Sequence, residues 1–154
     1  QGLEFDPDLI QPGDWEFEGG YKAAQKLLDV NNKPTAIFAA NDLMALGAIY
    51  AIQDTGLTVP NDIAVIGYDN REIARIFRPK ITTVSLPVYE MGNTAAELVI
   101  KQLKGGLENR NEIKVKGKLF VRESCGADET QITTDELDTS TMSRRIVLNM
   151  HPTD

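Results

Sequence analysis

Cysteine is nearly missing from this sequence: Cys125 stands alone among 154 residues. A lone thiol closes no disulfide within the chain, which excludes a disulfide-stapled scaffold and favours a reducing, cytoplasmic setting. Long apolar runs are missing too. None approaches the ~18 residues that a membrane span requires, so no transmembrane helix is read. Positive charge is scarce, with 16 Lys and Arg against 23 Asp and Glu and a formal net charge of −7. Gripping a phosphate backbone needs a basic face, so this stretch is not expected to read DNA or RNA itself. The single histidine is His151, and one histidine with one cysteine makes no metal-ligand cluster. No G-x-G-x-x-G follows a strand and no phosphate-binding loop is present. Asp62, Asp69, Glu72 and Glu90 form no recognisable acid–base pair. The expectation is a non-enzyme with no metal and no cofactor.

What is present is an alternation of strand and helix signals. Leu9-Ile10 reads as a weak first strand, followed by the turn-like Pro12-Gly13-Asp14. Residues 17–30 bring Tyr21, Ala24, Leu27 and Leu28 to helical spacing. Residues 35–40 form a short, continuously apolar run, the pattern of a strand covered on both faces. Asn41 or Asp42 then suits a helix N-cap, and an Ala-rich helix, apolar nearly all round, runs to Asp54 before Gly56. The unit repeats with a strand at 63–68, a short helix at 70–77 stopped by Pro79, and a strand at 81–84. Pro87 opens a helix to Lys104 with Val88, Met91, Ala95, Leu98, Val99 and Leu103 on one stripe, ended by Gly105-Gly106. Residues 112–122 read as extended.

Strands alternating with helices across short loops predict an α/β, doubly wound, mostly parallel sheet. Ligands of such sheets bind beyond the carboxyl ends of the strands. Polar residues stand at two of those ends, Asn41-Asp42 and Asp69-Asn70. Residues 1–126 read as one lobe. Residues 127–154 read as a polar, acidic tail, mobile or docked elsewhere, in which only Ile146-Val147-Leu148 looks able to bury anything.

Three segments carry a resemblance: Pro34-Thr-Ala-Ile-Phe-Ala-Ala-Asn-Asp-Leu-Met-Ala-Leu-Gly47, Gly56-Leu-Thr-Val-Pro-Asn-Asp-Ile-Ala-Val-Ile-Gly-Tyr-Asp-Asn70 and Arg78-Pro-Lys-Ile-Thr-Thr-Val84. In this order and spacing they resemble the sensor core of lac and purine repressor-type regulators, the LacI/GalR family. The resemblance runs from about Asp8 to Ser124. It implies the C-terminal lobe of a periplasmic-binding-protein type I-like effector-binding domain, with a small-molecule effector, a sugar, clamped between two lobes. The chain starts at Gln1 rather than Met, and by the same resemblance a DNA-binding head, a hinge and most of an N-terminal lobe are expected upstream. Operator DNA would be met only through that head. The helix from Pro87 and its return, residues 88–111, would cross onto the other lobe.

The resemblance also nominates residues. Asp69 matches an aspartate that hydrogen-bonds ligand from a strand end, and a carboxylate can accept from two neighbouring hydroxyls; the alternative is a cap for the helix that follows. Asn41 matches a polar pocket residue, with N-cap as its alternative. Trp15 matches an aromatic that packs on the ligand ring, with plain core as its alternative. Leu46 and Phe77 match positions used for subunit pairing in a homodimer, with core packing as the alternative. Leu86 stands where relatives often carry glutamine, giving a drier pocket edge, and an arginine that many members supply falls before Gln1. The competing function is the C-terminal lobe of a periplasmic sugar-binding transport protein, which a signal peptide in place of a helix-turn-helix upstream would reveal.

Overall fold

The computed structural model describes residues 6–105, 113–127 and 144–146. Near the N-terminus the expected strand at Leu9-Ile10 is instead a 3₁₀ turn, Pro7–Leu9. Pro7 occupies its first position, where a missing N–H costs nothing, and the Asp6 carboxylate accepts from the Asp8 amide. The first long helix, α1, spans Phe17–Asp29 and buries Gly20, Ala23, Ala24, Leu27 and Leu28 along one stripe. Strand β1 is Ala36–Phe38. Helix α2, Asp42–Asp54, is capped by Asn41, whose side chain accepts from the Met44 amide. Strand β2 covers Ala64–Asp69.

The short helix α3 covers only Ile73–Ile76, with Glu72 at its cap position, rather than starting at Asn70. The delay has a local cause: Asp69 and Asn70 both sit at positive φ, 103° and 54°, outside the helical region. Strand β3 is Thr82–Ser85 and helix α4 is Val88–Leu103. The extended stretch beyond it is two strands rather than one, β4 at Ile113–Val115 and β5 at Leu119–Phe120. Between them the chain turns so that the Lys118 carbonyl accepts from the Ser85 amide. A second 3₁₀ turn follows at Glu123–Cys125, and β6 at Arg144–Ile146. Gly106, Glu112, His151, Val147 and Leu148, with the rest of 128–143 and 147–154, lie outside the described residues.

The main sheet has the order β1-β2-β3-β5. Its first three strands are parallel, pairing Ala36 with Ala64 and Gly67 with Thr83, and β5 is antiparallel to β3. A separate two-stranded sheet pairs β4 with β6, so three residues of the acidic tail meet a strand of the lobe. Helices α1 and α2 pack on each other and on one face of the main sheet, around Ile49, Ile52, Val65 and Ile81. Strand β1 is therefore not covered on both faces: Ile37 points into the core, while Phe38 is 62% exposed. It is the edge strand, and α1 and α2 cover a single side. Of the α4 stripe only Leu98 is buried, and Val88, Tyr89, Ile100 and Leu103 face solvent. No helix among the described residues is long and apolar enough to cross a membrane.

Candidate functional site

The carboxyl ends of β1, β2 and β3 open on the same edge of the sheet, as their parallel register requires. A hollow of about 650 Å³ lies there, lined by Trp15, Asp69, Asn70, Arg71, Leu86 and Val88. Two of the nominated residues, Trp15 and Asp69, thus meet across one cavity although 54 positions separate them. Trp15 is 57% exposed and sits at φ 72°, in the loop before α1. Its ring is a wall, not core. Leu86 and Val88, just beyond β3, supply an apolar side, and Arg71 adds a cation at the rim.

Asn41 stands below this hollow rather than on its lining. It is buried, its Oδ1 accepts from the Met44 amide at 2.8 Å, and its Nδ2 donates to the Trp15 carbonyl at 2.8 Å. One side chain therefore starts α2 and tethers the loop that presents the indole. Leu46 is 6% exposed and belongs to the core cluster, with Phe77 half-buried against it. Tyr50, one turn further along α2 than Leu46, and Ile76, next to Phe77 in the chain, are exposed.

A polar network lies next to the hollow; the sequence marked Asp42 and Asn70 only as polar strand-end or cap residues and did not mark Thr83, Arg122 or Ser124. Asp42 is fully buried and accepts from the Arg71 amide and the Thr83 hydroxyl, each at 2.6 Å. Burial pushes its carboxyl above the usual range, with the nearby Asp69 charge adding to the rise, while the Thr83 and Arg71 hydrogen bonds and the Arg122 charge oppose it. Arg122 donates from Nη2 to Asn70 Oδ1 at 2.6 Å and from Nη1 to the Ile81 carbonyl at 2.7 Å. At the opposite edge of the sheet Ser124 accepts from the Thr82 amide and donates to the Val65 carbonyl, joining the starts of β2 and β3. Besides the polar strand ends at Asp42 and Asn70, a signal for this network in the sequence is the pair Thr82-Thr83 inside an apolar strand. Buried hydroxyls need partners, and here both find them. Among the described residues no group of His, Cys, Asp and Glu is arranged to hold a metal ion.

This fold and this edge define a class, the periplasmic binding protein-like domain, and residues 1–125 match that family. The HTH-type transcriptional repressor PurR of Aliivibrio salmonicida is 41% identical over 122 residues, covering 79% of this chain and 37% of that protein. Among solved structures, the complex of transcriptional regulator CelR with cellobiose matches at a TM-score of 0.75 and 36% identity, over 80% of this chain and 38% of that one. The lac repressor dimer bound to operator and the anti-inducer ONPF matches at 0.69 and 33%, over 77% and 37%. The chain belongs to the periplasmic binding protein-like family, and the relatives it is similar to here are transcriptional regulators. It spans 37% of the length of the repressor just described.

Proposed function

We propose that this chain is the sugar-sensing lobe of a dimeric, cytoplasmic, non-enzymatic transcriptional regulator, with Trp15 and Asp69 as its ligand contacts. The observation that carries the reading is the meeting of an exposed indole and a strand-end carboxylate across one hollow. A pyranose suits that pair, because its C–H face packs on an indole while adjacent hydroxyls donate to one carboxylate. Leu86 and Val88 fit the less polar edge of the ring. Asn41 serves the site from beneath through the Trp15 carbonyl, and it is also a candidate ligand contact.

The hollow is open on one side, so a clamped ligand takes its remaining contacts from a facing lobe elsewhere in the whole protein. DNA is met by another part of that protein, since this chain carries a net charge of −7. Ligand that binds one arrangement of the lobes more tightly biases the DNA-binding part by the difference in affinity. Homodimerisation through the surface around Leu46 and Phe77 rests here on Tyr50 and Ile76, because Leu46 itself offers little surface.

The test uses the intact protein, titrated with pentoses, hexoses and disaccharides while its melting temperature and its affinity for DNA from its own upstream region are followed. At least one sugar is expected to raise the melting temperature and to change the DNA affinity. Sugars that alter neither at millimolar concentration would refute the reading.

A further inference from the structure

The head of α2 holds a buried carboxylate that does not line the hollow, and its bonds lead directly to the hollow's wall. Asp42 Oδ2 accepts from the Arg71 amide and Oδ1 from the Thr83 hydroxyl. The same Thr83 oxygen accepts from the Asn70 amide at 3.2 Å. Two successive amides after Asp69 are therefore fastened by side chains from α2 and β3, elements brought together only by the fold. Opposite the carboxylate, β2 carries Gly67, where a Cβ would stand 2.5 Å from Asp42 Oδ1. Any other residue there would displace the carboxylate. Asp69 and Asn70 both hold positive φ, and such residues persist only where the surroundings over-determine them. Asn41, one position earlier, holds the opposite wall through the Trp15 carbonyl.

We propose that Asp42 is a positioning residue for effector binding: through the Arg71 amide and the Thr83 hydroxyl it fixes the Asp69–Asn70 turn that presents Asp69 to the hollow. The effector part of this proposal rests on the reading of the Trp15–Asp69 hollow given above. The chemistry requires a carboxylate, because its two oxygens accept from both donors at once. An asparagine keeps the size but has one accepting oxygen, so either the Arg71 amide or the Thr83 hydroxyl loses its acceptor.

The experiment compares Asp42→Asn, Thr83→Val and Thr83→Ser in the intact regulator, with Asp69→Asn as reference. Hydrogen exchange is read at the amides of Asn70 and Arg71 and at Val65 and Ile49, and cellobiose and ribose are the binding probes. Asp42→Asn and Thr83→Val are expected to speed exchange at Asn70 and Arg71 about tenfold or more while Val65 and Ile49 keep their protection. The same two variants are expected to weaken the bound sugar about tenfold, and Thr83→Ser, which keeps the hydroxyl, to restore both readings. Unchanged exchange at Asn70 and Arg71, an equal loss at Val65 and Ile49, or failure of Thr83→Ser to restore the turn would each overturn the proposal. If no pentose, hexose or disaccharide binds the unaltered protein, or Asp69→Asn leaves the affinity for a bound sugar intact, the effector reading fails. The exchange measurements then decide separately whether Asp42 fixes the turn.

Discussion

Gly47 lies where α1 and α2 cross, and a methyl group there has nowhere to go. A Cβ at this position would stand 2.2 Å from the Phe17 carbonyl oxygen and 2.7 Å from the Tyr21 amide nitrogen. Ordinary contact begins near 3.4 Å, so the helices would have to part by roughly 1 Å, and both opposing atoms are backbone that cannot rotate aside. Two terms oppose each other in Gly47→Ala. Helix propensity favours alanine by about 0.5–1 kcal/mol. Overpacking a close-packed contact costs typically about 1–3 kcal/mol, and a backbone clash belongs at the upper end of that range. The clash wins, and a net loss of roughly 1–2 kcal/mol is expected, read as a lower urea midpoint at unchanged slope. Gly92→Ala in α4 is the control, because a Cβ there meets nothing within 4 Å. That variant is expected to gain helix stability by up to about 1 kcal/mol. A Gly47→Ala protein as stable as the parent would refute the close-crossing account of α1 and α2.

Two further outcomes follow from other parts of the molecule. The Glu123 carboxyl sits below its ordinary value of 4.5, chiefly because it accepts from the Lys80 amide at 2.7 Å. A depressed carboxylate adds stability above its unfolded value that is lost as pH falls through the folded value. Glu123→Gln should therefore lower the melting temperature at neutral pH and flatten its decline below pH 4.5, and an unaltered acid limb would contradict the assignment. Phe38 and Ile10 stand open beside β1, and Val88, Tyr89, Ile100 and Leu103 stand open along α4. Monomers seldom leave contiguous apolar patches beyond ~300–600 Å² in water, so this chain alone is expected to self-associate in sedimentation, and a well-behaved monomer would contradict that.

The periodic elements were legible because their signals are local. The stripe of Tyr21, Ala24, Leu27 and Leu28 reports α1, and Asn41 before an Ala-rich run reports the start of α2. The strand-end location of Asp69 followed from the parallel pattern alone, and its meeting with Trp15 followed from the resemblance. Short apolar pairs misled: Leu9-Ile10 looks like strand, but Pro7 and the Asp6 cap decide for a 3₁₀ turn. Residues 35–40 read as buried on both faces because an edge strand and a central strand carry the same apolar run. Only the packing of α1 and α2 on the Ile37 side reveals that Phe38 has no cover. The Asp42–Thr83–Asn70 clamp joins residues from α2, β3 and the turn after β2, and no local pattern encodes such a meeting.

A sugar held by Asp69 is detected by one calorimetric titration. The intact protein and its Asp69→Ala variant are titrated with whichever pentose, hexose or disaccharide the unaltered protein binds. Losing a charged hydrogen-bond acceptor costs about 1.5–3 kcal/mol, so affinity is expected to fall roughly 10- to 100-fold. The variant must keep its melting temperature near that of the parent for the comparison to report on contact rather than folding. Equal affinity in the two proteins would contradict this contact and leave Asp69 as part of the turn alone.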